Sequence, residues 1–99
     1  SANEVDNNLD GCPGVGAHAT IGLPDDRLGE RICTFIVQTG DVEPTLDSIA
    51  EYLDSIGVAK RLRPEHIEFI DAIPMTESGK VKRHQLADEL DRRLKERAE

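Results

Sequence analysis

The chain has 99 residues, 37% of them hydrophobic, with 12 Lys+Arg against 20 Asp+Glu and a formal net charge of −8. That length supports one domain with one modest core, and a balance this acidic argues against a nucleic-acid binder, which needs a basic face. No apolar run reaches the roughly 18–20 residues of a membrane span, and no basic-then-apolar signal peptide opens the chain.

With Phe35, Tyr52 and Phe69 as the only aromatics, the core is expected to be aliphatic. Cys12 and Cys33 are too few for a disulfide framework and wrongly spaced for zinc. They read as free thiols in a reducing cytoplasm, with a single Cys12–Cys33 bridge as the alternative. The charge is uneven. Residues 1–79 carry 5 Lys+Arg and 15 Asp+Glu, whereas residues 80–99 carry 7 and 5. The sign changes at Gly79-Lys80.

In chain order, Asn3 to Leu9 predicts a short, weak helix stopped by Gly11 and Pro13. Val15 to Ile21 alternates as a half-buried strand does, with Val15, Ala17, Ala19 and Ile21 on one side and Gly16, His18 and Thr20 on the other. Gly22-Leu23-Pro24-Asp25-Asp26 has turn composition. Arg31 to Gln38 is rich in β-branched residues and nearly all apolar, so it reads as a strand covered on both faces. Pro44 and Thr45 open a helix, with Thr45 as N-cap, and Leu46, Ile49, Ala50, Leu53 and Ile56 share one face of it. Gly57 suits the position just past its end. Lys60-Arg61-Leu62-Arg63-Pro64 is a basic connector.

His66 to Ile70 predicts a third strand, with Ile67 and Phe69 on one face and Ile70 on the other. Pro74 to Lys80 reads as a loop. From about Arg83 the pattern is helical, with Leu86, Ala87, Leu90 and Leu94 as its stripe and Asp88/Arg92, Glu89/Arg93 and Asp91/Lys95 as acid-first pairs. The expected fold class is α/β (α+β), one domain over residues 1–99, a small sheet of about three strands packed with helices. The helix between the second and third strands permits a parallel crossover. His18, His66 and His84 are not spaced as metal ligands and read as surface or rim residues, so no metal site is expected. Gly11, Gly14 and Gly16 do not spell a dinucleotide fingerprint.

Gly79-Lys80 has three readings. A phosphate-binding P-loop fits poorly, because Pro74 stands where the first Gly belongs and Val81 where the metal-binding hydroxyl belongs. A solvated surface lysine before a helix is the plain reading. The third is resemblance. Pro74-Met-Thr-Glu-Ser-Gly-Lys80-Val-Lys-Arg83 resembles the last core motif of the adenylate-forming enzymes: acyl-CoA synthetases, peptide-synthetase adenylation domains and firefly luciferase. Glu4-Val5 to Leu9 resembles that family's opening helix, and Cys12-Pro13-Gly14-Val15 its "His-Pro-x-Val" turn, with Cys12 in place of His. Gly22-Leu23-Pro24-Asp25 with Leu28-Gly29-Glu30-Arg31, then Thr34-Phe35-Ile36-Val37, then Pro64 to Asp71, match further family segments in order. The likeness covers about residues 3–90.

The family's hinge residue, its Gly-rich hairpin and its large N-terminal adenylation domain are not in these 99 residues. The chain is therefore expected to be an excised domain or fragment, inactive alone. The resemblance implies an AMP-forming acyl-CoA ligase of the cytoplasm, acting in fatty acid metabolism. Its alternatives are a peptide-synthetase adenylation fragment and a non-catalytic, stand-alone interaction domain. In that ligase a carboxylic acid attacks the α-phosphate of ATP, pyrophosphate leaves, AMP is carried on the acyl group, and a thiol takes the acyl group over. ATP, Mg²⁺ and coenzyme A belong to the full-length enzyme, and this chain alone is expected to hold none of them.

Lys80 carries over as the lysine that bridges carboxylate and nucleotide. Pro74, Thr76, Ser78 and Gly79 carry over as the residues that shape its loop. Lys82 and Arg83 are candidate nucleotide-phosphate contacts or simply an exposed helix start. Lys60 and Arg61 are candidate coenzyme A contacts or a solvated connector. Expected partners are the N-terminal adenylation domain of the same polypeptide and a protein acetyltransferase acting on Lys80.

Overall fold

The computed structural model describes residues 1–25 and 29–98, without the side chain of Asp25. The expectations for Asp26 and Leu28 lie outside the described residues. α1 (Ala2–Asn7) is too short to persist on propensity. A capping box holds it: the Ser1 hydroxyl accepts from the Glu4 amide, and Glu4 in turn accepts from Ser1. Val5 and Leu9 are buried beneath it.

β1 (Val15–Asp25) pairs antiparallel with β2 (Gly29–Gln38), and β3 (His66–Phe69) runs parallel to β2, in the order β1-β2-β3. α2 (Leu46–Ser55) makes the crossover that a parallel pair requires. Thr45 caps it in a second capping box, with Ser48. Gly57, at φ +77°, ends it, with the Gly57 and Val58 amides donating to the Asp54 and Leu53 carbonyls. A 3₁₀ turn at Lys60–Leu62 leads into β3, and α3 (Arg83–Ala98) follows the loop after it.

Phe35 and Ile36, adjacent on the central strand, point to opposite faces. Leu9, Cys12, Val15, Ile36, Ile49 and Leu53 pack on the α2 face. Ala19, Ile21, Cys33, Phe35, Leu86 and Leu90 pack on the α3 face. The core is aliphatic as expected, with one fully buried aromatic, Phe35. Both cysteines are buried and free.

Several expectations need correction. The alternation along β1 breaks at a bulge, since Val15 pairs with Gln38 but His18 with Ile36. One extra residue reverses the faces. Val15 therefore joins the α2 side, Ala19 and Ile21 join the α3 side, and Ala17 is exposed. Gly16 permits the bulge, because a Cβ there would lie 2.8 Å from the Val37 carbonyl oxygen. Gly22-Leu23-Pro24 belongs to β1 rather than to a turn, and Pro24 is tolerated because β1 is an edge strand. Thr20, placed on the open side by pattern, is fully buried. It lies under α1, hydrogen-bonded to Asp6 at 2.8 Å and Thr34 at 2.7 Å.

Leu46 and Ile56 are 43% and 49% exposed, since one opens α2 and the other caps its end, and Leu94 is 46% exposed, one turn beyond Leu90, where the packed part of the α3 stripe ends. Glu89–Arg93 and Asp91–Lys95 pair as expected, but Arg92 takes Glu89 and Glu96 in place of Asp88.

His18 is not a rim residue, since its side chain is only 8% exposed. Its Nδ1 lies 2.9 Å from Asp6 and its Nε2 2.7 Å from Asp10. Ionised carboxylates only accept, so the ring satisfies both partners as an imidazolium. The hydrogen bond to Asp6 raises its pKa, reinforced by Asp10 and opposed by burial. Stabilisation from a raised pKa is complete below about pH 6.5 and is lost as pH rises through the folded value. Urea midpoints of the wild-type chain should therefore fall above about pH 6.5, while those of His18→Gln stay nearly level. Parallel profiles for the two proteins would contradict this latch.

Candidate functional site

The segment after β3 is a miniature hairpin rather than an open loop. Met75 and Val81 form an antiparallel bridge, and the Lys82 amide donates to the Pro74 carbonyl at 2.9 Å. Inside it, the Thr76 amide donates to the Lys80 carbonyl at 2.7 Å, and the Gly79 amide donates to the Thr76 carbonyl at 3.0 Å. The Thr76 hydroxyl accepts from the Lys80 amide at 3.1 Å and lies 3.0 Å from the Ser78 hydroxyl. Thr76 thus grips Lys80 through both backbone and side chain.

Gly79 turns the chain at φ +86°, and no atom lies within 4 Å of a Cβ built on it. Conformation, not space, demands glycine here. Gly79→Ala is expected to cost the hairpin about 1–2 kcal/mol, read as faster amide exchange at Thr76 and Lys80. Unchanged exchange would contradict that.

Val81 is drawn into the core on the α3 side. Alternation then turns Lys80 and Lys82 outward, and both are exposed. Among the described residues Lys80 enters no ion pair, whereas Arg63, Arg92, Arg93, Lys95 and Arg97 are all paired with carboxylates. A stiff hairpin therefore presents an uncommitted ammonium.

The other sequence candidates are not all gathered here. Arg83 begins α3 and sends its guanidinium away from the hairpin tip, donating to the Thr20 carbonyl and to Asn3 Oδ1. Lys60 and Arg61 are exposed in the 3₁₀ turn where β3 begins, while the hairpin leaves from where β3 ends.

Beside the hairpin runs an open groove of about 640 Å³, lined by Asp6, Asp10, His18, Asp71, Met75 and Val81 among others. Its three aspartates disfavour a polyphosphate. Among the described residues no three His, Cys, Asp or Glu side chains converge on a metal position. Burial pushes the Cys33 thiol up to about 12, so it is no nucleophile at neutral pH.

Sequence reasoning missed the residue that seats α3. Glu68 is 4% exposed and accepts from Arg97, Arg93 and His66. Arg97 leads in holding its carboxyl down to about 2, against the penalty of burial, with Arg93 and His66 adding to the effect. Arg93 also donates to the Phe69 carbonyl at 2.7 Å and lies over the Phe35 ring, 5.7 Å from its centroid. A signal was available: if Ile67 and Phe69 face α2, Glu68 faces α3, where Arg92, Arg93 and Arg97 crowd the sequence.

Residues 4–80 match the family model described as the AMP-binding enzyme C-terminal domain. The 2,3-dihydroxybenzoate-AMP ligase of Bacillus subtilis is 34% identical over 94 residues, 95% of this chain and 17% of that protein. The medium-chain fatty-acid–CoA ligase of Escherichia coli is 33% identical over 95 residues, again 95% of this chain and 17% of that protein. The apo structure of Mycobacterium smegmatis MbtA superposes with a TM-score of 0.78 at 32% identity, over 87% of this chain and 16% of that one. The chain thus spans only about 16–18% of the length of these and similar curated relatives.

Proposed function

Because the chain belongs to the AMP-binding enzyme C-terminal domain family, we propose that it supplies the adenylation lysine, Lys80, to an AMP-forming ligase. The observation that carries this reading is Lys80, exposed and without an ion pair among the described residues, on a hairpin pinned at both ends. When a carboxylate attacks the α-phosphate of ATP, two anions must approach and charge accumulates between them. A fixed ammonium lowers that barrier by holding both and by matching the developing charge. Lysine suits the task as a compact cation with three donors on a long stem. Pro74, Thr76, Ser78 and Gly79 shape the hairpin behind it, and Lys82 adds positive potential on the same outward side.

The acidic groove beside the hairpin supports placing the triphosphate of ATP and the acid, both anions, in the remainder of a longer polypeptide, the N-terminal adenylation domain. The isolated 99 residues should form no acyl-adenylate. The finer reading is an acyl-CoA ligase of fatty acid metabolism in the cytoplasm, with coenzyme A phosphates reaching Lys60 and Arg61. Among the described residues no helix is long and apolar enough to cross a membrane. A protein acetyltransferase modifying Lys80 would delete the same charge and stop adenylation.

The test is ATP–pyrophosphate exchange by the full-length protein over a panel of fatty and aromatic acids, followed by coenzyme A as acceptor. Acid-dependent exchange and a coenzyme A thioester are expected. Exchange without a coenzyme A thioester leaves the ligase and moves the acceptor to a carrier-protein thiol. Absence of exchange with every acid would favour a non-catalytic interaction domain.

A further inference from the structure

We propose that Arg83 is a positioning residue for Lys80, a brace that fixes the lysine hairpin against β1 and α1 rather than a contact for phosphate. This rests on the role proposed above for Lys80. Arg83 is the first residue of α3, where a cation opposes the helix dipole. Its guanidinium answers that cost with two neutral acceptors. One terminal nitrogen donates to the Thr20 carbonyl and the other to Asn3 Oδ1 at 3.1 Å.

Those acceptors lie across an edge. Thr20 sits in β1, an edge strand of the sheet. Asn3 belongs to α1, which covers the α2 face through Asp6, Thr20 and Thr34, whereas α3 covers the other face. The fork of Arg83 therefore wraps the sheet edge and ties both layers together. Its backbone is part of the hairpin base. The Arg83 amide donates to the Val81 carbonyl at 3.0 Å, one residue from the Lys82–Pro74 bond that closes the hairpin. Lys80 is three residues from this anchor, so the direction of its stem depends on it.

A direct phosphate contact fits less well. The guanidinium is already engaged, and the groove around it, lined by Asn3, Ile21, Gly22 and Arg83, also presents the Glu30 carboxylate. A planar fork is what reaches two acceptors at once, and lysine cannot reproduce it.

The experiment uses the full-length ligase with Arg83→Met, Arg83→Lys, Asn3→Ala and the Arg83→Met/Asn3→Ala double variant. Pyrophosphate-exchange kinetics and amide exchange over residues 74–82 are measured for each. The brace predicts that both Arg83 variants lower kcat about tenfold, the size of one lost charge-assisted hydrogen bond. It predicts that KM for ATP stays within about twofold, that amides 74–82 exchange faster, and that the double variant is no worse than Arg83→Met. A normal Arg83→Lys together with a raised KM for ATP in Arg83→Met and unchanged amide exchange would overturn it in favour of phosphate contact. Additive effects of Asn3→Ala and Arg83→Met would also overturn it. If Lys80→Ala leaves exchange kinetics intact, the Lys80 reading fails, while the amide exchange still reports whether Arg83 holds the hairpin.

Discussion

If the full-length protein is the ligase proposed above, replacing Lys80 with alanine in it is expected to slow acyl-adenylate formation about 10²–10³-fold, the usual consequence of deleting one preorganised group at a developing charge. The fold explains why the loss should be large. Lys80 has no carboxylate partner among the described residues, so its charge is not spent within the domain. Its backbone is held by Thr76 on both sides, so its stem starts from a fixed point. Nothing nearby replaces it. Lys82 lies two residues along, and Arg83 is committed to Thr20 and Asn3. Lys80→Arg should recover little, because a planar fork cannot occupy the place of a compact ammonium. Lys80→Gln should match the alanine variant, since both remove the charge. Pyrophosphate exchange at saturating ATP reads all three. Near-normal exchange in the glutamine variant would contradict an electrostatic role.

The second large effect concerns stability. Glu68→Gln should destabilise the domain by about 1–3 kcal/mol, because it takes the counter-charge from Arg97 and leaves Arg93, against the core, with Glu89 as its remaining carboxylate. The low carboxyl value, about 2, corresponds to an upper limit of about 3 kcal/mol of stability. Half-exposed Arg97 lowers that through solvent screening. The sign follows from the depressed pKa. The contribution is present above about pH 4.5 and is lost as pH falls toward 2. Urea midpoints of wild type and Glu68→Gln should therefore lie far apart at pH 7 and converge in acid, with unchanged slopes. A gap that persists at pH 2 would assign the effect to packing alone. Because α3 begins at the hairpin's exit, loosening its seat should also blunt adenylation.

Local chemistry made much of this fold legible. Thr45 as a cap, Gly57 as a stop, the doubly covered β2 and the α2 crossover follow from residue types at short spacing, and the structure has each of them. Thr76, Ser78 and Gly79 stood out as shapers of a loop, but not as a closed hairpin, because that depends on the pairing of Met75 with Val81. What stayed hidden depends on groups far apart in the chain. The bulge at Gly16 is dictated by close approach to the Val37 carbonyl, which no alternation pattern encodes. His18 looked like a rim residue because its two aspartates meet it only once α1 folds back onto β1. Arg83 looked like one more cation in a basic cluster, since Thr20 lies 63 residues away. Lys80 was the easiest to single out, because its motif is local and its charge stands at the point where an acidic chain turns basic.

The most direct test separates the two half-reactions of the full-length protein carrying Lys80→Ala. One assay follows formation of acyl-adenylate from ATP and the acid. The other follows thioester formation from supplied acyl-adenylate. A lysine that serves adenylation alone predicts a loss of about 10²–10³-fold in the first and a rate close to wild type in the second. Equal loss in both would contradict the role assigned to Lys80.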